Sequence, residues 1–203
     1  MVSVTYEVFT AEKGTWGPLS HRPGNPIKLN VRKLREQYLL PCTDQSESFY
    51  IRMLIDGNLV GNAFACRWKC KSRTNCWISQ LVVDRHHRRK GLASILLRAL
   101  ARDSDDIYGI MSSHPAACLA AAKAYGRAIE KVDLEFISKN ANEVLLTSPI
   151  PYIRNAELCG TIFDVRDTSG MVSGVNTSFF VDHTEPLEAL AEVEREWQWP
   201  LGM

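Results

Sequence analysis

A dense run of cationic residues ends in Arg88-Arg89-Lys90-Gly91-Leu92-Ala93, a segment suited to holding an anion. It stands between an apolar run and a segment of helical periodicity, so Gly91 falls at a predicted helix N-terminus. There, unpaired N–H groups and a partial positive charge favour a pyrophosphate. Gly91 lets the backbone approach without a Cβ in the way, and the cations stand where two phosphates would rest. Because a Gly-x-Ala sequence is also typical of a plain helix cap, its context must decide. We call residues 88–93 the basic turn.

Three strands are predicted to lead into the basic turn. Residues 49–55 and 59–69 are strand-like on either side of Asp56-Gly57-Asn58, which contains a hairpin dipeptide. After a second polar turn over 71–75, residues 76–83 form an apolar run suited to a central, buried strand. The pattern indicates an antiparallel meander that ends just before the turn.

A helix, a strand and a second helix are predicted to follow. Apolar residues recur at helical intervals from Leu92 to Leu100, which gives an amphipathic helix that ends near Asp103. Residues 107–112 are strand-like. Pro115 can start an alanine-rich helix over 116–124, since its missing N–H is unpaired at that position anyway.

The outer parts of the chain predict further elements on both sides. Before the meander they are a strand over residues 2–10, a Gly- and Pro-rich loop over 14–26, and a helix over 31–39 that Asn30 caps. After the alanine-rich helix they are a helix capped by Asp133 that ends at Pro149, then two strands joined by a loop, over 157–165 and 172–183, and a last helix over 185–197.

The composition is that of an ordinary soluble globular protein. Of 203 residues, 45% are hydrophobic and 23% are charged, and the formal net charge is +1. This balance favours a single domain and gives no broad attraction to nucleic acid or to anionic membrane. The N-terminus lacks a signal-peptide pattern, and no apolar stretch approaches the roughly 18 residues of a spanning helix. We therefore expect a cytoplasmic protein without nucleic-acid or membrane partners.

The six cysteines are expected to be free thiols, because the predicted compartment is reducing. Cys66, Cys70 and Cys76 are close in sequence, but their spacing does not match paired zinc ligands. Cys66 and Cys70 share strand parity with Trp68, so all three would point to one face as buried hydrophobes. We expect no metal.

The element order and the residues Ile78-Ser79-Gln80-Leu81-Val82-Val83-Asp84 followed by the basic turn resemble the GCN5-related N-acetyltransferase (GNAT) superfamily. The family signature is Gln or Arg, two residues, Gly, one residue, then Gly or Ala, directly after a buried strand. Arg88, Gly91 and Ala93 fill these three positions.

The resemblance implies an α/β (α+β) fold with a mixed central sheet of about six to seven strands flanked by helices. A helical insertion would precede the last hairpin, and a helix would end the chain. Residues 1–203 would form a single domain, with a core over about 45–130 and an elaborated part over about 131–203.

The resemblance also implies acetyl-CoA as co-substrate and an amine as acceptor. In the family the strand before the turn splays away from the next parallel strand, and the pantetheine arm pairs with its exposed backbone. A backbone N–H would polarise the thioester carbonyl. The residues that would hold acetyl-CoA are Leu81, Val82, Val83, Arg88, Arg89, Lys90, Gly91, Leu92, Ala93 and Ser94.

Proton transfer has three candidate residues. Family members often place a tyrosine acid on the helix after the fifth strand, and Tyr125 is at a matching place, although it could equally pack its ring under the sheet. His114 has a suitable ordinary pKa of ~6.5, and Asp84 lies at the strand's end, where it could simply cap the turn. Many relatives carry a strand glutamate, but residues 76–83 contain no acid. A water relay, or an acceptor that arrives neutral, therefore stays open.

The functional alternatives follow from these departures. A GNAT fold without a competent base could be an acyl-CoA-binding module, and the signature does not exclude another acyl thioester or a hydroxyl acceptor. Residues 127–156 form a longer connection than is usual in relatives and could shape the acceptor cleft. The cluster Trp197-Gln198-Trp199-Pro200 could anchor the last helix or form a homodimer contact.

Overall fold

The computed structural model describes residues 14–27, 32, 36, 38–40, 42–112, 114–126, 128–169 and 173–194. Short 3₁₀ turns lie at Arg85–His87 and Ile129–Lys131. The helices and strands, in chain order, are β1 (Ser46–Ile55), β2 (Asn58–Cys70), β3 (Arg73–Val83), α1 (Leu92–Leu100), β4 (Ile107–Ile110), α2 (Pro115–Ala124), α3 (Leu134–Leu146), α4 (Pro151–Arg154), β5 (Glu157–Cys159), β6 (Gly174–Asn176) and α5 (Thr184–Glu194).

The main sheet has the order β1-β2-β3-β4. The first three strands are antiparallel, which confirms the predicted meander, and β4 is parallel to β3. Asp56 and Gly57 have φ angles of 49° and 81°, the left-handed conformation that a tight hairpin turn requires. The sheet positions the basic turn directly beyond the end of its third strand.

The start of β3 differs from the prediction. A polar turn was expected over 71–75, whereas β3 begins at Arg73 and only Lys71 and Ser72 turn the chain. Thr74 and Asn75 are buried strand residues, and each side chain makes one hydrogen bond to β2. Lys69 Nζ donates to Thr74 Oγ1 at 2.6 Å, and Asn75 Nδ2 donates to Trp68 O at 3.5 Å.

Two apolar clusters cover the two faces of the sheet. The first lies under α1 and α2 and consists of Ala63, Ala65, Cys76, Ile78, Leu97, Leu100, Ala120 and Ala121. The second lies toward α3 and α4 and consists of Cys66, Trp68, Trp77, Val144, Leu145, Ile150 and Ile153. Cys66, Trp68 and Cys70 are all buried, as their shared parity predicted. All six cysteines are free thiols.

The three central helices confirm the predicted ones. Pro115 is the first residue of α2, and Asp133 Oδ1 accepts a hydrogen bond from Phe136 N at 2.9 Å, which caps α3. The helix α1 ends at Leu100, before the predicted Asp103: Ala101 is extended, with φ −65° and ψ 142°, and Leu100 O accepts from the buried Arg67 Nη2 at 2.6 Å.

The predicted long strands near the C-terminus are wrong in extent. The prediction had strands over 157–165 and 172–183, but β5 and β6 have three residues each and form a separate antiparallel pair. Gly160 adopts a left-handed φ of 93°, and its carbonyl accepts from Phe163 N and Asp164 N, so the chain turns instead of extending.

The expected six to seven strands of the central sheet are not confirmed, because the described part of the chain has four strands in that sheet. The predicted strand 2–10, most of the helix over 31–39 and the segment 195–197 lie outside the described residues. A single domain over 1–203 stays a prediction. Within the described ranges, no helix is both long and apolar enough to cross a bilayer.

Candidate active site

The pairing between β3 and β4 ends beside the basic turn. The parallel ladder ends with the pair Ile78–Ile110, followed by a hydrogen bond from Met111 N to Ile78 O at 2.9 Å. Phe64 pairs with Gln80 and Ala65 with Ile78, which leaves Ser79 as an extra residue in β3. Such a bulge bends a strand and is common beside active sites. From Ser79 to its end, β3 has β2 as its ladder partner among the described residues. We call the unpaired stretch between β3 and the chain beyond β4 the splay.

Alternation along β3 indicates which backbone groups face the splay. Asp84 N–H donates to Val60 O of β2 at 2.9 Å. Because hydrogen-bonded positions alternate in an antiparallel pair, Val82 also directs its backbone toward β2. Leu81 and Val83 therefore direct their N–H and C=O groups away from β2, to the side on which β4 pairs with the earlier residues of β3. Of the three predicted strand residues, this geometry favours Leu81 and Val83 as the groups that pair with a ligand.

The backbone of the basic turn is open at the start of α1. Gly91 has a left-handed φ of 77°, and nothing lies within 4 Å of a Cβ built there. The first helical hydrogen bond runs from Ile95 N to Gly91 O, so the N–H groups of Leu92, Ala93 and Ser94 precede the helical ladder. Ser94 Oγ donates to Ala120 O at 3.3 Å, which leaves that residue's N–H rather than its hydroxyl for an anion.

The side chains of the basic turn contact the C-terminal helix. Arg88 Nε donates to Val83 O at 3.3 Å, and Arg88 Nη1 lies 2.8 Å from Glu185 Oε1. Arg89 Nη2 lies 3.4 Å from Glu192 Oε2. Arg89 also has a left-handed φ of 61°, a conformation that costs about 1–2 kcal/mol for a residue with a Cβ. Lys90 is exposed.

Asp84 caps the 3₁₀ turn that leads into the basic turn. Its Oδ1 accepts from His86 N at 2.9 Å and lies 2.8 Å from His87 Nδ1. The hydrogen bond from His87 is the largest cause of a lowered pKa for the Asp84 carboxyl. A carboxylate that is stabilised as an anion and already engaged is poorly suited to removing a proton.

His114 lies at the other side of the splay, as the N-cap of α2. Its Nδ1 accepts from Ala116 N at 3.2 Å, so the neutral ring carries its proton on Nε2. That nitrogen lies 3.7 Å from Glu185 Oε1. Burial lowers the pKa of His114, with Arg88 acting in the same direction and Glu185 opposing it. In this arrangement Nε2–H is a hydrogen-bond donor toward the mouth of the splay.

Tyr125 lies at the opposite end of α2, as its C-cap residue. At a rise of about 1.5 Å per residue, it is roughly 16 Å along the helix from His114. Its hydroxyl is buried and has no hydrogen-bond partner in the described part of the structure. Burial raises its pKa above the ordinary value of a tyrosine. This geometry favours the packing role over the predicted role as an acid.

Gln80 is a candidate residue that the sequence interpretation missed. It follows the bulge in β3, and its pairing with Phe64 places it on the face opposite α1 and α2. Its Oε1 is buried without a hydrogen-bond partner in the described residues. A polar residue inside the apolar run 76–83 was the signal that could have identified it, since buried polar atoms normally have partners.

Metal ligands do not cluster near the splay or elsewhere in the described ranges. There, no group of three or more His, Cys, Asp or Glu side chains could hold a metal ion.

A comparison with protein families identifies the family of this chain. The family model described as the acetyltransferase (GNAT) family matches residues 13–128, more than half of the chain. A search of the curated proteins finds no match.

Solved structures give a weaker similarity. The aminoglycoside acetyltransferase HMB0005, from an uncultured soil metagenomic sample, is 24% identical with a TM-score of 0.30; the alignment covers 34% of this chain and 49% of that one. The aminoglycoside acetyltransferase meta-AAC0020, also from an uncultured soil metagenomic sample and in complex with sisomicin, is 18% identical with a TM-score of 0.39, over 54% of this chain and 74% of that one. This chain thus spans about half the length of the first structure. Similarities at these TM-scores carry no argument about the acceptor.

Proposed function

Because this chain belongs to the acetyltransferase (GNAT) family, we propose that it transfers an acetyl group from acetyl-CoA to a primary amine. The observation that carries the proposal is the splay between β3 and β4, which opens beside a helix N-terminus with an unobstructed left-handed glycine. Acetyl-CoA needs both features: the unpaired strand edge for its extended pantetheine arm and, next to it, the helix N-terminus for its diphosphate.

The residues of the basic turn fit the diphosphate of CoA. The N–H groups of Leu92, Ala93 and Ser94 point along the α1 axis, and Gly91 leaves room for close approach. Arg88, Arg89 and Lys90 provide the compensating charge. Gly91 has no side chain with which to cap α1, which leaves the first N–H groups of the helix to a ligand.

Leu81 and Val83 would pair with the pantetheine arm and hold the thioester carbonyl near a β3 N–H. When bound, acetyl-CoA supplies an activated acyl group; the amine nitrogen bonds to its carbonyl carbon, and the carbon–sulfur bond breaks. A fixed N–H donor stabilises the charge that develops on the carbonyl oxygen. His114 Nε2 and Arg88 share the carboxylate of Glu185, so this imidazole would lie at the diphosphate end of the arm, and the departing thiolate would take its proton from solvent.

Gln80 would orient the amine from the opposite face of β3. Its unpartnered Oε1 can accept an N–H of the acceptor and direct the nitrogen lone pair at the carbonyl. The amine's surplus proton then goes to solvent, since Asp84 is engaged by His86 and His87. This arrangement suits an acceptor that reaches the site as the neutral amine.

A catalytically weak acyl-CoA-binding module is the alternative, favoured by the absence of an acidic side chain on β3. The two are separated by titrating the protein with CoA in a calorimeter and then following thiol release from acetyl-CoA with a panel of peptide, polyamine and aminoglycoside amines. Binding with amine-dependent thiol release supports the enzyme, and binding without release across the panel supports the module. Failure to bind CoA contradicts both.

A further inference from the structure

Two glutamates of α5 lie on one side of the helix and face the basic turn. Glu185 and Glu192 are seven residues apart, which is about two helical turns. Glu185 Oε1 lies 2.8 Å from Arg88 Nη1, and Glu192 Oε2 lies 3.4 Å from Arg89 Nη2. Each acid thus contacts one of two consecutive arginines of the proposed diphosphate site.

Glu185 also reaches across the mouth of the splay. The same Oε1 that contacts Arg88, on the β3 side, lies 3.7 Å from His114 Nε2, on the β4 side. A ligand arm entering between the two strands would have to pass this carboxylate.

We propose that α5 is an acidic latch, in which Glu185 and Glu192 occupy the arginines that the diphosphate of CoA requires. This inference rests on the proposed function. A carboxylate and a phosphate bind a guanidinium through the same kind of paired N–H···O contacts, so the two compete for it. The N–H groups of Leu92, Ala93 and Ser94 stay available, since they precede the first helical hydrogen bond, from Ile95 N to Gly91 O. The latch therefore blocks the side chains of the site and leaves its backbone accessible.

Backbone contacts hold the chain that leads into α5 against residues 15–17. Gly17 N donates to Phe180 O at 2.8 Å, and Asp182 N donates to Thr15 O at 2.8 Å. A Cβ at Gly17 would lie 2.6 Å from Val181 O, so the two segments are in close backbone contact. These contacts hold the base of the latch beside the 14–18 loop.

The ion pairs between α5 and the basic turn are exposed, so a competing anion can replace the carboxylates. The exposed side-chain fractions are 41% and 64% for the pair Arg88–Glu185, and 89% and 63% for the pair Arg89–Glu192. Pairs at such exposure are weak and are screened by salt. A diphosphate that also gains the backbone N–H groups of α1 would displace these ion pairs, and α5 would then be held only by its contacts with α2 and with residues 15–17.

The test compares CoA affinities by calorimetry for the full-length wild type, the double variant Glu185→Gln/Glu192→Gln and the control Glu188→Gln. Glu188 is on the same helix and has no ion pair with the basic turn in the described structure. We expect the double variant to bind CoA about threefold to tenfold more tightly, from the loss of two weak exposed pairs, and the control to match wild type. In an Arg88→Gln background, Glu185→Gln should no longer change the affinity.

Hydrogen exchange of residues 184–194 gives an independent readout, and we expect exchange there to accelerate when CoA is added. Equal CoA affinities for wild type and the double variant, or slower exchange in α5 with CoA, would overturn the latch and leave the proposed function intact. No CoA binding by any variant would overturn the proposed function, and the latch with it.

Discussion

The phenol ring of Tyr125 stacks on that of Tyr108, with ring centroids 3.6 Å apart and an interplanar angle of 13°. Tyr108 is in β4 opposite Cys76, and its hydroxyl donates to Arg102 O at 3.2 Å. The stack therefore lies at the paired end of the two strands, whereas the splay opens beyond Ile110. This relationship assigns Tyr125 to the core that holds α2 on the sheet.

Tyr125→Phe is therefore expected to retain acetyl transfer within about twofold of wild type. Removing a buried hydroxyl that has no partner should leave the free energy of unfolding unchanged or raise it by up to about 1 kcal/mol. Tyr125→Ala, which also removes the ring, should cost about 3–5 kcal/mol. Initial rates of thiol release measure acetyl transfer, and urea denaturation measures the free energy of unfolding. A loss of tenfold or more in kcat for Tyr125→Phe, at unchanged stability, would restore the acid role.

The sequence predicted the meander, α1, α2 and α3 because their signals are local. The hairpin dipeptide, Pro115 at the first helical position and the Asp133 cap each act within a few residues. The short β5 and β6 could not be predicted, because the turn after Cys159 depends on a hydrogen bond from Gly160 N to Asp167 Oδ2. Composition over 157–165 is strand-like whether or not that contact forms.

The site was predictable only where the backbone determines it. The basic turn follows from a strand, a glycine and a helix in order, and the structure has all three. The contacts of Arg88 and Arg89 with α5 could not be inferred, because they join residues about a hundred positions apart. The direction in which the backbone groups of Leu81 and Val83 point depends on the bulge at Ser79, and hydrophobic periodicity does not reveal that bulge.

Gly91→Asp should lower the affinity for CoA by at least tenfold. The left-handed φ of 77° costs a residue with a Cβ about 1–2 kcal/mol, and the new carboxylate would stand where the diphosphate binds. Gly57→Asp is a matched control, since Gly57 has a φ of 81°, has open space around it and lies in the distant β1–β2 turn. Both variants should lose similar stability in urea, and only Gly91→Asp should lose CoA binding in calorimetry. Equal CoA affinities for the two variants would contradict the assignment of the basic turn.

Gln80→Met should raise KM for the amine about fivefold or more and leave CoA affinity unchanged, because it removes an amide oxygen proposed to face the acceptor. Asn75→Leu is the control: it removes another buried amide whose Oδ1 has no partner in the described chain, at the other end of the same strand. Steady-state kinetics with varied amine concentration give KM for the amine in each variant. If both variants change KM alike, the effect comes from the strand as a whole and not from contact with the acceptor.

Asp105→Ala should destabilise the protein by about 3–5 kcal/mol, because it leaves the charge of Arg67 buried and unpaired. Arg67 Nη2 donates to Asp105 Oδ2 at 2.7 Å, and both side chains are almost fully buried. Glu47→Gln breaks the exposed pair with Arg102 instead and should cost at most about 1 kcal/mol. Urea denaturation measures the loss of stability in each variant. Similar losses would show that the buried Arg67–Asp105 pair contributes no more to stability than the exposed Arg102–Glu47 pair.

The stability of the fold should depend on pH through His114. Its pKa is lowered in the folded state, chiefly by burial, so the unfolded chain binds the proton more tightly. The neutral ring therefore contributes stability that is complete above the unfolded pKa of about 6.5 and is lost as the pH falls from there through the lower folded pKa. His114→Asn keeps a cap for Ala116 N–H but does not titrate in this range, so its stability should fall less between pH 8 and pH 5. Glu185 raises the pKa of His114, so Glu185→Gln should lower that pKa further and deepen the loss in acid. Urea denaturation at the two pH values measures each variant. If wild type and His114→Asn lose the same stability on acidification, the imidazole at the mouth of the splay is not the group that titrates.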